Sequence, residues 1–192
     1  MNLFVDTISA PAHIIFFDEN KKIIDEYTWS IKWKESSTLI PKIDDFLRKH
    51  KLEYKNLENI IVVNGPWSFT GVRTTVLVMN TINYIIKKNI IPISFFDLFN
   101  QYPIIKASSK RDCFIKREKN NKIEIMKNED IFQKLEKNQI GCIYGEINSE
   151  LFTSRKIVDK VDYQSIIDEI KICNWERNKR IEPLYIKKPN IS

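Results

Sequence analysis

The run Ile60-Ile61-Val62-Val63, closed by Asn64-Gly65-Pro66 and followed by the apolar stretch Thr74 to Lys88, constrains the fold most. Four β-branched residues between Asn59 and Asn64 predict a strand buried on both faces, as in a parallel sheet. Gly65-Pro66 breaks that strand. The stretch from Thr74 carries no glycine or proline and predicts a helix. Ser68 can cap it, its hydroxyl reaching free N–H groups of the first turn. Gly71 stands where a side chain would block close approach of a ligand or a second backbone. The ten residues Asn64 to Arg73 therefore form a strand–loop–helix joint. Such a joint can hold an anion at the helix N-terminus; it is also the ordinary crossover of an α/β protein.

The predicted helix has an unusual surface. Phe69, Val72, Val76, Met79 and Asn80 form one stripe, and Leu77, Thr81, Tyr84, Ile85 and Lys88 form another. Val78, Ile82 and Ile86 lie between them. A helix apolar nearly all round is covered on two sides. Its own sheet supplies one cover, and a chain of 192 residues has few helices to spare for the other. A partner protein is the physical expectation.

Upstream, Asn2 to Val5, His13 to Phe17 and Ile23 to Ile31 read as three strands joined by polar turns, the first at Asp6-Thr7-Ile8-Ser9. Ser36 to His50 reads as a helix with Leu39, Ile40, Ile43, Phe46 and Leu47 on one face and Pro41 in its first turn. Ile91 to Phe96 reads as a strand, with a short helix or turn over Asp97 to Gln101. Beyond Tyr102-Pro103 the pattern thins. Cys113 to Arg117 and Lys122 to Met126 form a hairpin. A helix capped by Asn128 spans Glu129 to Lys137. Ile140 to Tyr144 is a strand ended by Gly145, and Ser165 to Trp175 is a helix. No internal repeat is visible. The domain expectation is a first lobe over 1–102, with the interface helices, and a smaller lobe with a tail over 103–192.

The net charge of +6 comes from scattered lysines, not a polybasic run, and reads as a solvated surface. Cys113, Cys142 and Cys173 are far apart, without C-x-x-C spacing, which excludes a zinc ribbon or a disulfide framework and predicts buried thiols. No basic leader opens the chain, and no apolar run reaches the roughly 18 residues of a membrane span. The expectation is a cytoplasmic protein that uses no membrane. His13 and His50 form no H-x-x-x-H pair, and no nucleophile elbow or Walker loop is present. Asp44 and Asp45 are sequence neighbours on a helix and do not share a face. No metal site, cofactor or catalytic residue is expected.

Gly65-Pro66-Trp67-Ser68-Phe69-Thr70-Gly71-Val72-Arg73 resembles the G-P-G-S-F-T-G-[LV]-R motif of the TsaB (YeaZ) family. Gly65, Pro66, Ser68, Phe69, Thr70, Gly71 and Arg73 match, Val72 is an allowed variant, and Trp67 departs from the family glycine. Asp6-Thr7, Leu39-Ile40-Pro41 and Glu182-Pro183-Leu184-Tyr185 resemble further family segments. The resemblance implies an actin-like ATPase (ASKHA, RNase H-like) α/β fold of two lobes, the second short, with Ser36–His50 and Ser68–Lys88 on one face of the sheet. It implies a non-catalytic subunit of the bacterial machinery that makes threonylcarbamoyladenosine on tRNA. The implied partners are a TsaD-like catalytic subunit and a TsaE-like ATPase, with a homodimer when the chain is alone and tRNA met only through the complex. The interface residues it implies are Leu39, Ile43 and Phe46 with Val72, Arg73, Val76, Met79, Asn80 and Asn83. The alternatives are a nucleotide-dependent enzyme using Asp6, Thr7, Ser68 and Thr70 on phosphate, and a peptidase.

Overall fold

A computed structural model describes residues 1–30, 35–67, 69–137, 140–147, 156–172 and 180–186. Contacts divide the chain into two units, Met1–Phe95 with Gln164–Leu184, and Phe96–Tyr163 with the C-terminal residues from Tyr185. The sequence reading kept 103–192 together; the contacts return Gln164–Leu184 to the first unit.

In the first unit, strands β1 (Asn2–Asp6), β2 (Ala12–Phe17) and β3 (Ile23–Trp29) are followed by helix α1 (Glu35–Lys49). Then come β4 (Asn59–Val63), α2 (Phe69–Ile86) and β5 (Asn89–Ile93). The sheet order is β3-β2-β1-β4-β5. β1, β2 and β3 are antiparallel, while β4 and β5 run parallel to β1. Ile60, Ile61, Val62 and Val63 are fully buried, as a central parallel strand requires.

Both long helices cover the same face. Leu3 lies opposite Phe16, strand alternation puts Val5 on that side too, and Thr7 follows the end of β1. Phe46 of α1 stacks on Phe16 with ring centroids 4.3 Å apart. Thr75 of α2 shares a 2.5 Å hydrogen bond with Thr7. α1 and α2 also pack against each other. α1 begins at Glu35, so Pro41 lies inside the helix and not in its first turn as expected. A proline there forfeits one backbone hydrogen bond of the helix.

The second unit holds β6 (Ile104–Ala107), β7 (Asp112–Lys116), β8 (Glu124–Lys127), α3 (Asn128–Lys137), β9 (Cys142–Glu146) and β10 (Lys156–Val158). Its sheet order, β8-β7-β6-β9-β10, with β6, β7 and β8 antiparallel and β9 and β10 parallel to β6, matches the first sheet strand for strand. The two units thus share an architecture that no sequence repeat announces. A helix follows the third strand in each. This is the two-lobed actin-like α/β fold. Ile105, Cys113, Ile115, Ile131, Leu135 and Ile143 form the second core.

Several details depart from expectation. β6 was not anticipated: Lys106 interrupts its apolar run, yet that lysine is fully buried and its Nζ lies 2.5 Å from Glu146 of β9. Gly145 sits inside β9 and does not end it. Its φ is +108°, and a Cβ there would stand 2.2 Å from the Ile105 carbonyl oxygen. Asn128 does not serve as a side-chain cap; its Oδ1 accepts the Cys113 thiol at 2.8 Å, and its amide donates to the Lys110 carbonyl. Cys113 is buried, which pushes its thiol up to about 11. Cys142 is only half-buried, and Cys173 lies outside the described residues. α4 (Tyr163–Glu169) is shorter than the helix expected from Ser165 to Trp175, whose last residues lie outside the described set. No described helix is long and apolar enough to cross a membrane.

Both histidines are used structurally. His13 Nδ1 meets Glu26 at 2.5 Å. His50 packs edge-on against Phe16 and Phe46, and its Nε2 lies 2.7 Å from Asp25 Oδ2. The Lys49 ammonium, 2.5 Å from the same oxygen, is the main cause holding the Asp25 carboxyl below the usual carboxylate range. A carboxylate lowered on folding adds stability that is complete above its unfolded pKa and disappears as pH falls through the folded one. Asp25→Asn should therefore cost up to about 1 kcal/mol near neutral pH, given the exposure of Lys49, and nothing in strong acid. Urea melts at the two pH values read the gap; a gap that persists in acid contradicts this account.

Candidate functional site

The joint between β4 and α2 was the site expected to matter, and the structure shows what its residues hold. Asn64 donates its backbone N–H to Ile93 of β5 at 2.9 Å. Gly65 has φ +130°, a region open to glycine, and its carbonyl accepts the Phe95 N–H at 2.7 Å. The space a Gly65 side chain would need is already filled: a Cβ there would lie 2.7 Å from the Leu184 carbonyl oxygen. Pro66 is buried and Trp67 half-buried. Thr70 and Arg73 face solvent, and Gly71 is buried in the first turn of α2. Ser68 and the Phe69 side chain lie outside the described residues, as does the proposed capping bond.

At the end of β1, Asp6 is fully buried. Its Oδ1 accepts the backbone N–H groups of Ile8 and Ser9 at 2.8 and 2.9 Å, closing the turn that leads to β2. Thr7 is hydrogen-bonded to Thr75. The corner that could face phosphate in a nucleotide-binding relative thus ties this chain to itself. Among the described residues, no group of three His, Cys, Asp or Glu side chains is placed to hold a metal ion.

α2 resolves into two faces. Val72, Thr75, Val76, Met79, Ile82 and Asn83 are buried on the sheet side. Leu77, Tyr84 and Ile85 lie on the opposite side, 68, 75 and 73% exposed, with Thr81 exposed between them. Thr81 lies four residues from both Leu77 and Ile85 and three from Tyr84, spacings that join them in one helical stripe. Ile40 of α1 is also exposed.

The residues expected at a partner interface therefore fall mostly inside. Leu39, Ile43 and Phe46 of α1 are buried, as are Val72, Val76 and Met79 of α2. Asn83 is spent on the end of its own helix: its Oδ1 accepts the Lys88 N–H at 3.0 Å. Asn80 is half-buried, donates to the Ile181 carbonyl at 2.9 Å and accepts the Ile181 N–H at 3.0 Å. Of that set, Arg73 alone is exposed. The second stripe of the sequence reading, Leu77, Thr81, Tyr84 and Ile85, is the one left open. The signal that could have phased the helix was Thr75, a small polar residue bound to the β1 corner.

Three comparisons bear on this site. A family model described as TsaD, tRNA N6-adenosine threonylcarbamoyltransferase, matches residues 31–110. A tRNA threonylcarbamoyladenosine biosynthesis protein TsaB from Buchnera aphidicola is 21% identical over 175 residues, covering 86% of this chain and 76% of that protein. Among solved structures, YeaZ from Pseudomonas aeruginosa superposes with a TM-score of 0.65 at 12% identity, over 88% of this chain and 91% of that one. A protein described as uncharacterized with similarity to peptidase YeaZ from Pseudomonas aeruginosa gives 0.74 at 11% identity, over 97 and 100%.

Gly65→Ala should destabilise the fold by about 1–3 kcal/mol, because the new methyl meets a backbone oxygen and the φ disfavours a side chain. Chemical denaturation measures this; an unchanged midpoint would mean the joint is looser than described.

Proposed function

We propose that the chain, which resembles the TsaB (YeaZ) family, is a non-catalytic subunit in the making of threonylcarbamoyladenosine on tRNA. In this reading it binds and supports a TsaD-like catalytic subunit, with a TsaE-like ATPase as the further member of the complex. tRNA is met through the complex, and self-association replaces the TsaD-like partner when the chain is alone.

The observation that carries the reading is the outward stripe of α2. Single exposed apolar residues are ordinary on a protein surface. Leu77, Tyr84 and Ile85 lie along one stripe of a single helix and each is more than two-thirds exposed, which is the form an interaction surface takes. The inward stripe already belongs to the sheet, so the two covers that the sequence demanded are the chain's own sheet and a partner. The placement of Asp6, Thr7 and Gly65 supports a supporting role over a catalytic one, since each is engaged within the chain.

Titration against the TsaD-like subunit tests the reading. Leu77→Glu and Tyr84→Glu each place a charge in the proposed contact and should weaken binding about tenfold or more, a cost of roughly 1.4 kcal/mol per decade. Both variants should keep the wild-type melt, since neither side chain is buried in the fold. Val76→Glu, by contrast, should unfold the chain. Wild-type affinity in both outward variants would place the interface elsewhere.

The purified chain should turn over no ATP. Robust turnover abolished by Asp6→Ala would move the assignment to a nucleotide-dependent enzyme.

A further inference from the structure

The segment Ile181–Leu184 runs past the β4–α2 joint, and three residues there grip its main chain. Asn80 presents a side-chain amide to Ile181 and pairs with both its N–H and its C=O, at 3.0 and 2.9 Å. An asparagine amide carries the same donor and acceptor as a peptide unit, so this pair copies one rung of a strand ladder. Asn64 donates its side-chain amide to the Glu182 carbonyl at 2.8 Å, and its own carbonyl accepts the Leu184 N–H at 2.8 Å. Gly65 leaves the room that the Leu184 carbonyl occupies. Ile181 is 4% exposed, so one apolar side chain anchors what is otherwise backbone recognition. The chain leaves the first unit directly after Leu184, and also after Phe95, whose N–H is bound by Gly65.

We propose that Asn64, Gly65 and Asn80 are a clasp for the chain's own C-terminal segment, and that docking of Ile181–Leu184 fixes the middle of α2. Asn80 is then a positioning residue: it touches no partner, but it holds the turn whose outer side carries Leu77. The motif glycine at 65 serves a main chain and not a ligand. The clasp stands on hydrogen bonds within one unit. Only its consequence for partner binding rests on the functional reading above.

The test uses the full-length chain. Trypsin can cut the Arg180–Ile181 bond only when Ile181 is free, and amide hydrogen exchange around residue 80 reports the middle of α2. Asn80→Ala removes both bonds to Ile181 and should raise the cleavage rate and the local exchange rate about tenfold or more. Asn80→Asp keeps the acceptor for the Ile181 N–H but turns a carboxylate oxygen onto the Ile181 carbonyl, and should raise both rates at least as far as Asn80→Ala. If Asn80→Ala does not fold, Asn64→Ala removes the Glu182 contact from outside the helix and should raise the same cleavage rate. Wild-type cleavage and exchange in the folded variants would overturn the clasp. Faster cleavage together with an unaltered partner affinity in Leu77→Glu would keep the clasp and discard the functional reading. Unchanged cleavage with partner binding lost in Leu77→Glu would do the reverse.

Discussion

The inward face of α2 is the contact on which the first unit depends. Val72, Val76, Met79 and Ile82 are buried there, and Thr75 reaches the Thr7 hydroxyl at the end of β1. That bond joins the turn after the first strand to the helix after the fourth. Together with the buried stripe it sets the rotation of α2 about its axis. Once the rotation is fixed, Asn80 must point to the Ile181 backbone, Asn83 must close the C-terminal turn, and Leu77, Tyr84 and Ile85 must face out. The exposed stripe is thus a consequence of the core, not an independent surface feature. Replacing its residues by charges costs the fold little, while replacing the opposite face costs a great deal.

Much of this was legible in residue order. Four β-branched residues in a row announced a strand buried on both faces, and the apolar length after Gly65-Pro66 announced a helix with two covers. The rotation of that helix was not legible. Periodicity assigns faces by contrast between apolar and polar positions, and α2 offers little contrast. Asn80 and Asn83 were among the few polar marks, and both read as partner-facing. In the structure they satisfy backbone groups, which buried asparagines do well. β6 was hidden for the opposite reason. Lys106 makes its run look like surface, but the ammonium is buried against Glu146 on the neighbouring strand. The likeness of the two sheets was invisible because it resides in strand order and direction, which different residues can satisfy equally.

The motif glycine shows how one residue type admits two readings. A glycine between a strand and a helix suits a phosphate as well as a polypeptide, since both need close approach to the backbone. The Leu184 carbonyl decides the case for Gly65. Asp6 was ambiguous in the same way, and here its carboxylate closes a turn onto Ile8 and Ser9. Asp6 and Gly65 are thus engaged within the chain, and among the described residues α2 keeps an exposed apolar face.

Site-specific photocrosslinking tests that face most directly. A photoreactive residue placed at position 84 should capture the TsaD-like subunit when the complex forms. The same residue at position 119, exposed in the second unit, should capture none. Capture from 119 and none from 84 would contradict the account.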